Sequence, residues 1–195
     1  MNQHLAQDSG LTHIPVMVAE VLSYLAIKPD GIYLDGTIGS GGHATPILKE
    51  LIDGGKIIGI DRDEEALDIC KQNLKTFSSI LSLYHSSYNN LDKILAAEGL
   101  SSFNGALLDL GLSSLQLGSK NRGFSYRSEG SLDMRYDQSS GSGAGNLINQ
   151  VDQDSLAQIF KEYGEERLAS RIAKSIKEMT KMNTIADLRE AIRRC

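Results

Sequence analysis

The sequence predicts an α/β fold, a doubly wound parallel sheet, on three observations. Short apolar runs alternate with helix-like stretches through residues 31–110, the pattern of strand–helix–strand units that build a parallel sheet. Gly39-Ser40-Gly41-Gly42-His43-Ala44 fits G-x-G-x-x-G/A, and it joins a strand-like run to a helix-like one, as a nucleotide-type turn does. Asp61 ends the next strand-like run, about 20 residues past the glycines, where such folds keep a carboxylate for ribose hydroxyls.

The elements follow in order. Pro15 to Leu25 reads as a helix: Pro15 suits a first helical position, and Val18, Val21, Leu22 and Leu25 share a face. Pro29-Asp30-Gly31 turns the chain into strand one, Gly31 to Leu34. After the glycine turn, Thr45 to Leu51 reads as a helix and Lys56 to Ile60 as strand two. Asp63 to Lys75 is a helix whose first turn carries Asp63, Glu64 and Glu65, favourable at the positive end of a helix dipole. Strand three is Ile80 to Tyr84, a helix runs from Asn90 to Glu98, and Gly99 stops it. Strand four is Asn104 to Leu110, ending in Asp109.

After Gly111 the character changes. Residues 111–137 hold no long apolar period and read as an ordered loop, a length that points to function. Gln138 to Gly145 is linker-like. Asp152 caps a helix through Tyr163, with Leu156, Ile159, Phe160 and Tyr163 on its apolar side, and Gly164 interrupts it. Glu165 to Thr180 is amphipathic: Leu168, Ile172, Ile176 and Met179 face one way, and Arg167, Arg171, Lys174, Lys177 and Lys181 the other. Such a basic stripe is most often a solvated face. Thr184-Ile185-Ala186-Asp187 starts a last helix in the manner of a capping box. The expected organisation is a flexible tail over 1–12, a cofactor-binding domain over 13–113, a substrate-side loop and linker over 114–145, and a helical inserted domain over 146–195.

Charge and cysteine content narrow the classes. The net charge is −5, which does not mark the whole chain as a nucleic-acid binder. The cations are unevenly placed: residues 101–195 hold 13 Lys and Arg against 12 Asp and Glu, residues 1–100 hold 7 against 13. A polyanion would prefer the second half. Cys70 and Cys195 are far apart in sequence and form no C-x-x-C pair, which argues against a disulfide framework or a zinc site and fits a reducing cytoplasm. No apolar run is long enough to cross a membrane. The first ten residues lack a basic-then-apolar signal pattern.

Asp35 separates two ligand readings. A dinucleotide site lays a pyrophosphate on the first turn, and a carboxylate at the end of strand one would repel it. S-adenosylmethionine has no phosphate but carries an ammonium and a sulfonium, so Asp35 favours it, while the glycines admit close approach. The dinucleotide reading stays open at this point.

The motifs, taken together, are more specific. The chain resembles the ribosomal small-subunit methyltransferase H family, also called MraW. The resemblance rests on His13-Ile14-Pro15-Val16-Met17, Asp35-Gly36-Thr37-Ile38-Gly39, Gly41-Gly42-His43, Ile60-Asp61-Arg62-Asp63, Leu107 to Ser114 (LLDLGLSS), Arg122-Gly123-Phe124-Ser125-Tyr126, Leu132-Asp133-Met134-Arg135 and Tyr163-Gly164-Glu165-Glu166-Arg167, in family order. It implies a class I, Rossmann-like S-adenosylmethionine methyltransferase sheet with an inserted helical lobe. It implies methylation of the N4 amine of a cytidine in the decoding region of 16S ribosomal RNA, within the small ribosomal subunit.

Carried over by motif, the cofactor contacts are Gly41, Gly42 and His43 in the first turn, Asp61 after strand two, Tyr88 beside the adenine, Asp109 after strand four and Gln116 in the loop beyond. Asp109 is also the candidate proton acceptor and so the expected catalytic residue. No metal and no membrane are expected. Arg122, Phe124, Tyr126, Arg127 and Arg135 mix cations with aromatics, which suits an RNA surface. Two departures stand out: Leu115 replaces the usual Pro after Ser113-Ser114, and Gly130-Ser131 replaces the usual Gly-Pro. The resemblance covers about two thirds of the family's length. Further strands are expected in a full family member, and a chain without them reads alternatively as a cofactor-binding fragment without activity.

Overall fold

The computed structural model describes residues 15–52 and 54–195. The expected tail, residues 1–12, and His13 and Ile14 of the first signature stretch lie outside the described residues. The chain divides into two compact units, with the boundary between Leu110 and Gly111.

The first unit is built on β1 (Ile32–Asp35), β2 (Lys56–Asp61), β3 (Leu81–His85) and β4 (Gly105–Leu107), all parallel, in the order β3-β2-β1-β4. The chain steps outward from β1 to β2 and β3, then returns to the other side of β1 for β4. That is the strand order of a doubly wound, Rossmann-like sheet, and the direction reverses between β1 and β4. The helices are α1 (Val18–Leu25), α2 (Ala44–Glu50), α3 (Glu64–Asn73) and α4 (Leu91–Ala97).

Side-chain alternation along the strands explains the layers. Tyr33 and Ile57 point into a core with Ala44, Ile47 and Leu48 of α2 and Leu67 and Cys70 of α3. Their neighbours Leu34 and Ile58 point to the opposite face, with Ile60 and with Ile94 of α4. Both faces are covered, which is why Ile57, Ile58 and Ile60 form a near-continuous apolar strand. Glu98, just past α4, is held between Lys56 of β2 and Tyr84 of β3.

Two expectations here are corrected. The first helix begins at Val18, not Pro15, because Met17 takes a left-handed conformation (φ 55) ahead of it. Pro15 instead covers Gly42, where a methyl group would meet its ring carbons at 3.4 Å. Strand four ends at Leu107 rather than Leu110, so Asp109 lies beyond it. The cause is local. The β1 ladder ends at Asp35, Gly36 N–H takes the Leu107 carbonyl at 2.9 Å, and Asp109 N–H turns to the Thr37 hydroxyl.

The second unit is helical: α5 (Ser114–Gly118), α6 (Ala144–Gln150), α7 (Gln153–Gly164), α8 (Ala169–Lys177) and α9 (Ile185–Arg193). Leu132, Ile148, Leu156, Ala173, Ile176, Met182, Ile185 and Ala191 form its core. The segment read as a linker gives way to α6 at Ala144, inside its expected bounds. Ala144 and Gly145 N–H groups are fixed there by the carbonyls of Asp133 and Leu132. Gly164 does not interrupt α7 but is its last residue, and Glu165 (φ 50) caps it. The next helix therefore starts at Ala169 rather than Glu165, and Leu168 stands half exposed outside the expected apolar face. Tyr163 likewise leaves the apolar side of α7 for solvent.

Candidate functional site

The carboxyl ends of the strands gather the chemistry-bearing residues of the first unit. This is where ligands bind in open α/β sheets, at the point where strand order reverses. Asp35, the last residue of β1, is buried, and Thr37 N–H donates to its Oδ1 at 3.2 Å. Gly36 follows. A methyl group there would come 2.5 Å from Leu108 and 3.5 Å from Tyr88. Tyr88 and Leu108 thus flank the same backbone from the turns after β3 and β4.

The glycine turn is shaped by packing as much as by any ligand. Gly41 has φ 91, and a methyl group on it would strike Leu74 at 2.7 Å and Cys70 at 3.2 Å. Its N–H donates to the Ile38 carbonyl at 2.9 Å. Gly42 faces Pro15. Neither missing side chain opens toward a ligand, so these glycines can offer one only their backbone.

Asp61 ends β2, and two turn amides fix its carboxylate: Gly39 N–H donates to Oδ2 at 2.8 Å and Asp63 N–H to Oδ1 at 3.0 Å. Each oxygen keeps a second lone pair for a hydroxyl. Ser86 N–H donates to the Asp61 carbonyl at 2.9 Å, so the turn carrying Tyr88 starts beside Asp61. Tyr88 itself is exposed.

His43 does not cap α2 with its side chain. Its Nε2 lies 2.8 Å from the Val16 carbonyl, which can only accept, so Nε2 carries the proton. Its Nδ1 faces Asp109 Oδ2 at 3.9 Å. Asp109 is partly exposed, and its N–H donates to Thr37 Oγ1 at 2.7 Å.

The electrostatics follow from this crowding. Burial pushes Asp35 up to about 7, against the Thr37 amide and His43, with Asp61 and Asp109 adding to the rise. Burial also raises Asp61, despite its amide donors. Beneath the turn, burial and the same acids push the Cys70 thiol up to about 12. Where ionised, carboxylates so placed favour a cation over a phosphate. A ligand with a positive group and neighbouring hydroxyls suits these residues better than a pyrophosphate does.

In the second unit the expected site residues scatter. Gln116 is buried and completes the capping box of α5: its Oε1 accepts Ser113 N–H at 3.1 Å while its own N–H donates to Ser113 Oγ. Arg122 and Arg135, expected on an RNA surface, serve the fold instead. Buried Arg122 donates to the carbonyls of Arg135 and Tyr136, and Arg135 grips Asp133 through two nitrogens. Phe124 packs on Tyr136 with ring centroids 5.4 Å apart. On the basic stripe, Lys177 donates to the Ile148 carbonyl, and Lys174 lies 3.9 Å from Glu178.

Among the described residues, no group of three or more His, Cys, Asp or Glu side chains is placed to hold a metal ion, and no helix is long and apolar enough to cross a membrane. Sequence reasoning missed Thr37 and Val16 as parts of the site. A Thr directly after Asp-Gly, with a hydroxyl able to bond nearby backbone, was the available signal for the first. Nothing in sequence signals the carbonyl of Val16.

Residues 10–195 match the family described as the MraW methylase family. The ribosomal RNA small subunit methyltransferase H of Caldicellulosiruptor saccharolyticus is 43% identical over 178 residues, covering 91% of this chain and 58% of that protein. Its counterpart in Halothermothrix orenii is 47% identical over 166 residues, 85% of this chain and 53% of that protein. The Thermotoga neapolitana counterpart is 46% identical over 181 residues, 92% and 60%. The chain spans little more than half the length of the curated relatives it matches. Among solved structures, an rRNA methylase from Streptococcus thermophilus aligns with a TM-score of 0.41 at 24% identity, over 51% of this chain and 57% of that one.

Proposed function

The chain belongs to the MraW methylase family, and from that premise we propose that it binds S-adenosylmethionine at the carboxyl ends of β1 to β4. We propose that it serves methylation of a cytidine N4 amine in the decoding region of 16S ribosomal RNA, in the small ribosomal subunit and in the cytoplasm. The observation that carries the cofactor reading is the set of carboxylates, Asp35, Asp61 and Asp109, around one glycine turn. The name shared by the relatives, ribosomal RNA small subunit methyltransferase H, supports the substrate class.

In this reading Asp61 accepts the ribose hydroxyls, since two amides already fix its plane. Tyr88, beside Gly36, lies against the adenine. Asp35 would balance the ammonium, and the Gly41–Gly42 backbone and His43 would line the turn. Gln116 joins the set on the family resemblance alone. When bound, the cofactor supplies a methyl group activated by the sulfonium. The cytosine amine is a weak nucleophile because its lone pair is delocalised, so orientation in line with that methyl supplies much of the rate. Asp109, whose backbone N–H is held by Thr37 and whose carboxylate faces His43, would take the proton that the amine loses on methylation. Methylation at C5 of the cytosine ring would instead need a thiolate nucleophile, and burial pushes the Cys70 thiol up to about 12.

The test is methyl transfer from labelled S-adenosylmethionine to small ribosomal subunits, followed by nucleoside analysis. Label in N4-methylcytidine supports the reading, and label in another nucleoside overturns the target. A second reading, cofactor binding without transfer, has its own observation. Among the described residues β4 is an edge strand of the sheet, and Leu108 and Leu110 beyond it are exposed. Cofactor binding with no label in RNA would favour it.

A further inference from the structure

The run from Arg122 to Arg135 holds cations and aromatics side by side, and the structure sorts them into two sets. Arg122, Phe124 and Arg135 are occupied in building the segment, as their bonds to Tyr136, Asp133 and neighbouring carbonyls show. The side chains of Tyr126 and Arg127 meet each other instead. Tyr126 is 70% exposed. The Arg127 guanidinium carbon lies 5.6 Å from its ring centroid, and Arg127 Nε donates to its hydroxyl at 3.3 Å.

The turn that carries this pair is pinned. Ser128 N–H donates to the Ser125 carbonyl at 3.0 Å and Ser128 Oγ to the Lys120 carbonyl at 2.8 Å. Arg189 of α9 donates to the Tyr126 carbonyl at 3.2 Å. Ile185 N–H donates to the Gly130 carbonyl at 3.0 Å, and Leu132 N–H to the Asn183 carbonyl at 2.8 Å. A single exposed aromatic is unremarkable on its own. An exposed aromatic on a backbone fixed from both sides, with a guanidinium already against it, is a preformed stacking surface.

We infer that Tyr126 and Arg127 together form a platform for an unpaired base of single-stranded RNA. The inference rests on the RNA reading above and names where this unit would grip the strand. Every base has a face that stacks on an aromatic ring. A planar guanidinium can lie along that stack and reach the flanking phosphate. The half of the chain that holds the platform also holds the cation surplus. Glu129, two residues along the chain from Arg127, lies 3.5 Å from Arg189, which offsets its charge. RNA fits better than an apolar protein surface, because one cation lies against the ring and a second bonds the carbonyl of the same residue.

The test is fluorescence anisotropy of a short labelled single-stranded pyrimidine RNA over a salt series, with the chain and its Tyr126→Ala, Tyr126→Phe and Arg127→Ala variants. The side chains are exposed, so the variants keep the fold. Tyr126→Ala is expected to weaken binding about 10-fold or more, from the loss of one stacked base. Tyr126→Phe keeps the ring and stays close to wild type. Arg127→Ala weakens binding and makes its salt dependence shallower. Lys174→Ala, on the solvated stripe, binds as wild type. Unchanged affinity in Tyr126→Ala overturns the platform, as it would if a protein were the true occupant, and so does a wild-type chain that binds no RNA. Titration of S-adenosylmethionine into the same samples separates the readings. If the cofactor binds while RNA affinity ignores Tyr126, the platform falls and the cofactor site stands.

Discussion

Asp109 hangs from Thr37: the Asp109 N–H donates to the Thr37 hydroxyl at 2.7 Å, and the Thr37 N–H donates in turn to buried Asp35 at 3.2 Å. One residue thereby ties the loop after β4 to the turn after β1. Thr37→Val keeps the shape and removes the acceptor, leaving the Asp109 N–H unpartnered and the carboxylate loosely aimed. Steady-state kinetics of methyl transfer should show kcat down about 10-fold, the scale of one lost positioning bond, with the KM for cofactor changed less. Thr37→Ser should restore kcat. Equal rates in the valine variant would remove Thr37 from any positioning role.

Asp35 makes the site sensitive to pH. Its value is lifted to about 7 by burial, so below that pH the folded chain holds a proton that the unfolded chain gives up near the ordinary carboxylate value. Stability of the ligand-free chain therefore falls as pH rises from about 4 to about 7. Affinity for a cationic ligand moves the other way, rising through the same upper range as the carboxylate ionises. Asp35→Asn should flatten both profiles, weaken cofactor binding by about 10-fold or more, and raise the melting temperature above about pH 7. Calorimetry and thermal melts over a pH series read both effects.

Gly41 cannot be enlarged. Its φ of 91 is strained for any side chain, and a methyl group would meet Leu74 and Cys70 in the core. Gly41→Ala should cost about 1–3 kcal/mol in urea unfolding. Gly39→Ala meets nothing nearer than the Thr37 carbonyl at 3.9 Å and should cost about 1 kcal/mol, from its left-handed φ alone.

Arg122 should behave as a structural residue. Arg122→Ala removes a buried guanidinium from the carbonyls of Arg135 and Tyr136 and should destabilise the second unit by about 2 kcal/mol. Tyr126→Ala, on the same segment, should leave the melting temperature unchanged. Stability lost in both, or in neither, would contradict the division between the two sets.

What could be read in advance divides along physical lines. Short apolar runs and helical patterns located the four strands and most helices among the described residues, because burial on one or both faces dictates them. Asp35 and Asp61 fell where strand ends put them. The extent of β4 was not legible, because the Asp109 N–H bonds to a side-chain hydroxyl 72 residues away in sequence rather than continuing the ladder. The start of α8 was hidden by Glu165, a non-glycine residue in a left-handed cap. Arg122 and Tyr126 look alike in a sequence as parts of a cation–aromatic run. Only the fold shows that one is buried at 2% exposure and the other exposed at 70%.

The proposed hold of the carboxylates around the glycine turn on S-adenosylmethionine is open to isothermal titration of S-adenosylmethionine and of NADH into the chain at about pH 8, where Asp35 is ionised. The expected result is binding of S-adenosylmethionine, loss of that binding in Asp61→Ala, and no binding of NADH. Binding of NADH with none of S-adenosylmethionine, or S-adenosylmethionine affinity untouched by Asp61→Ala, would contradict it.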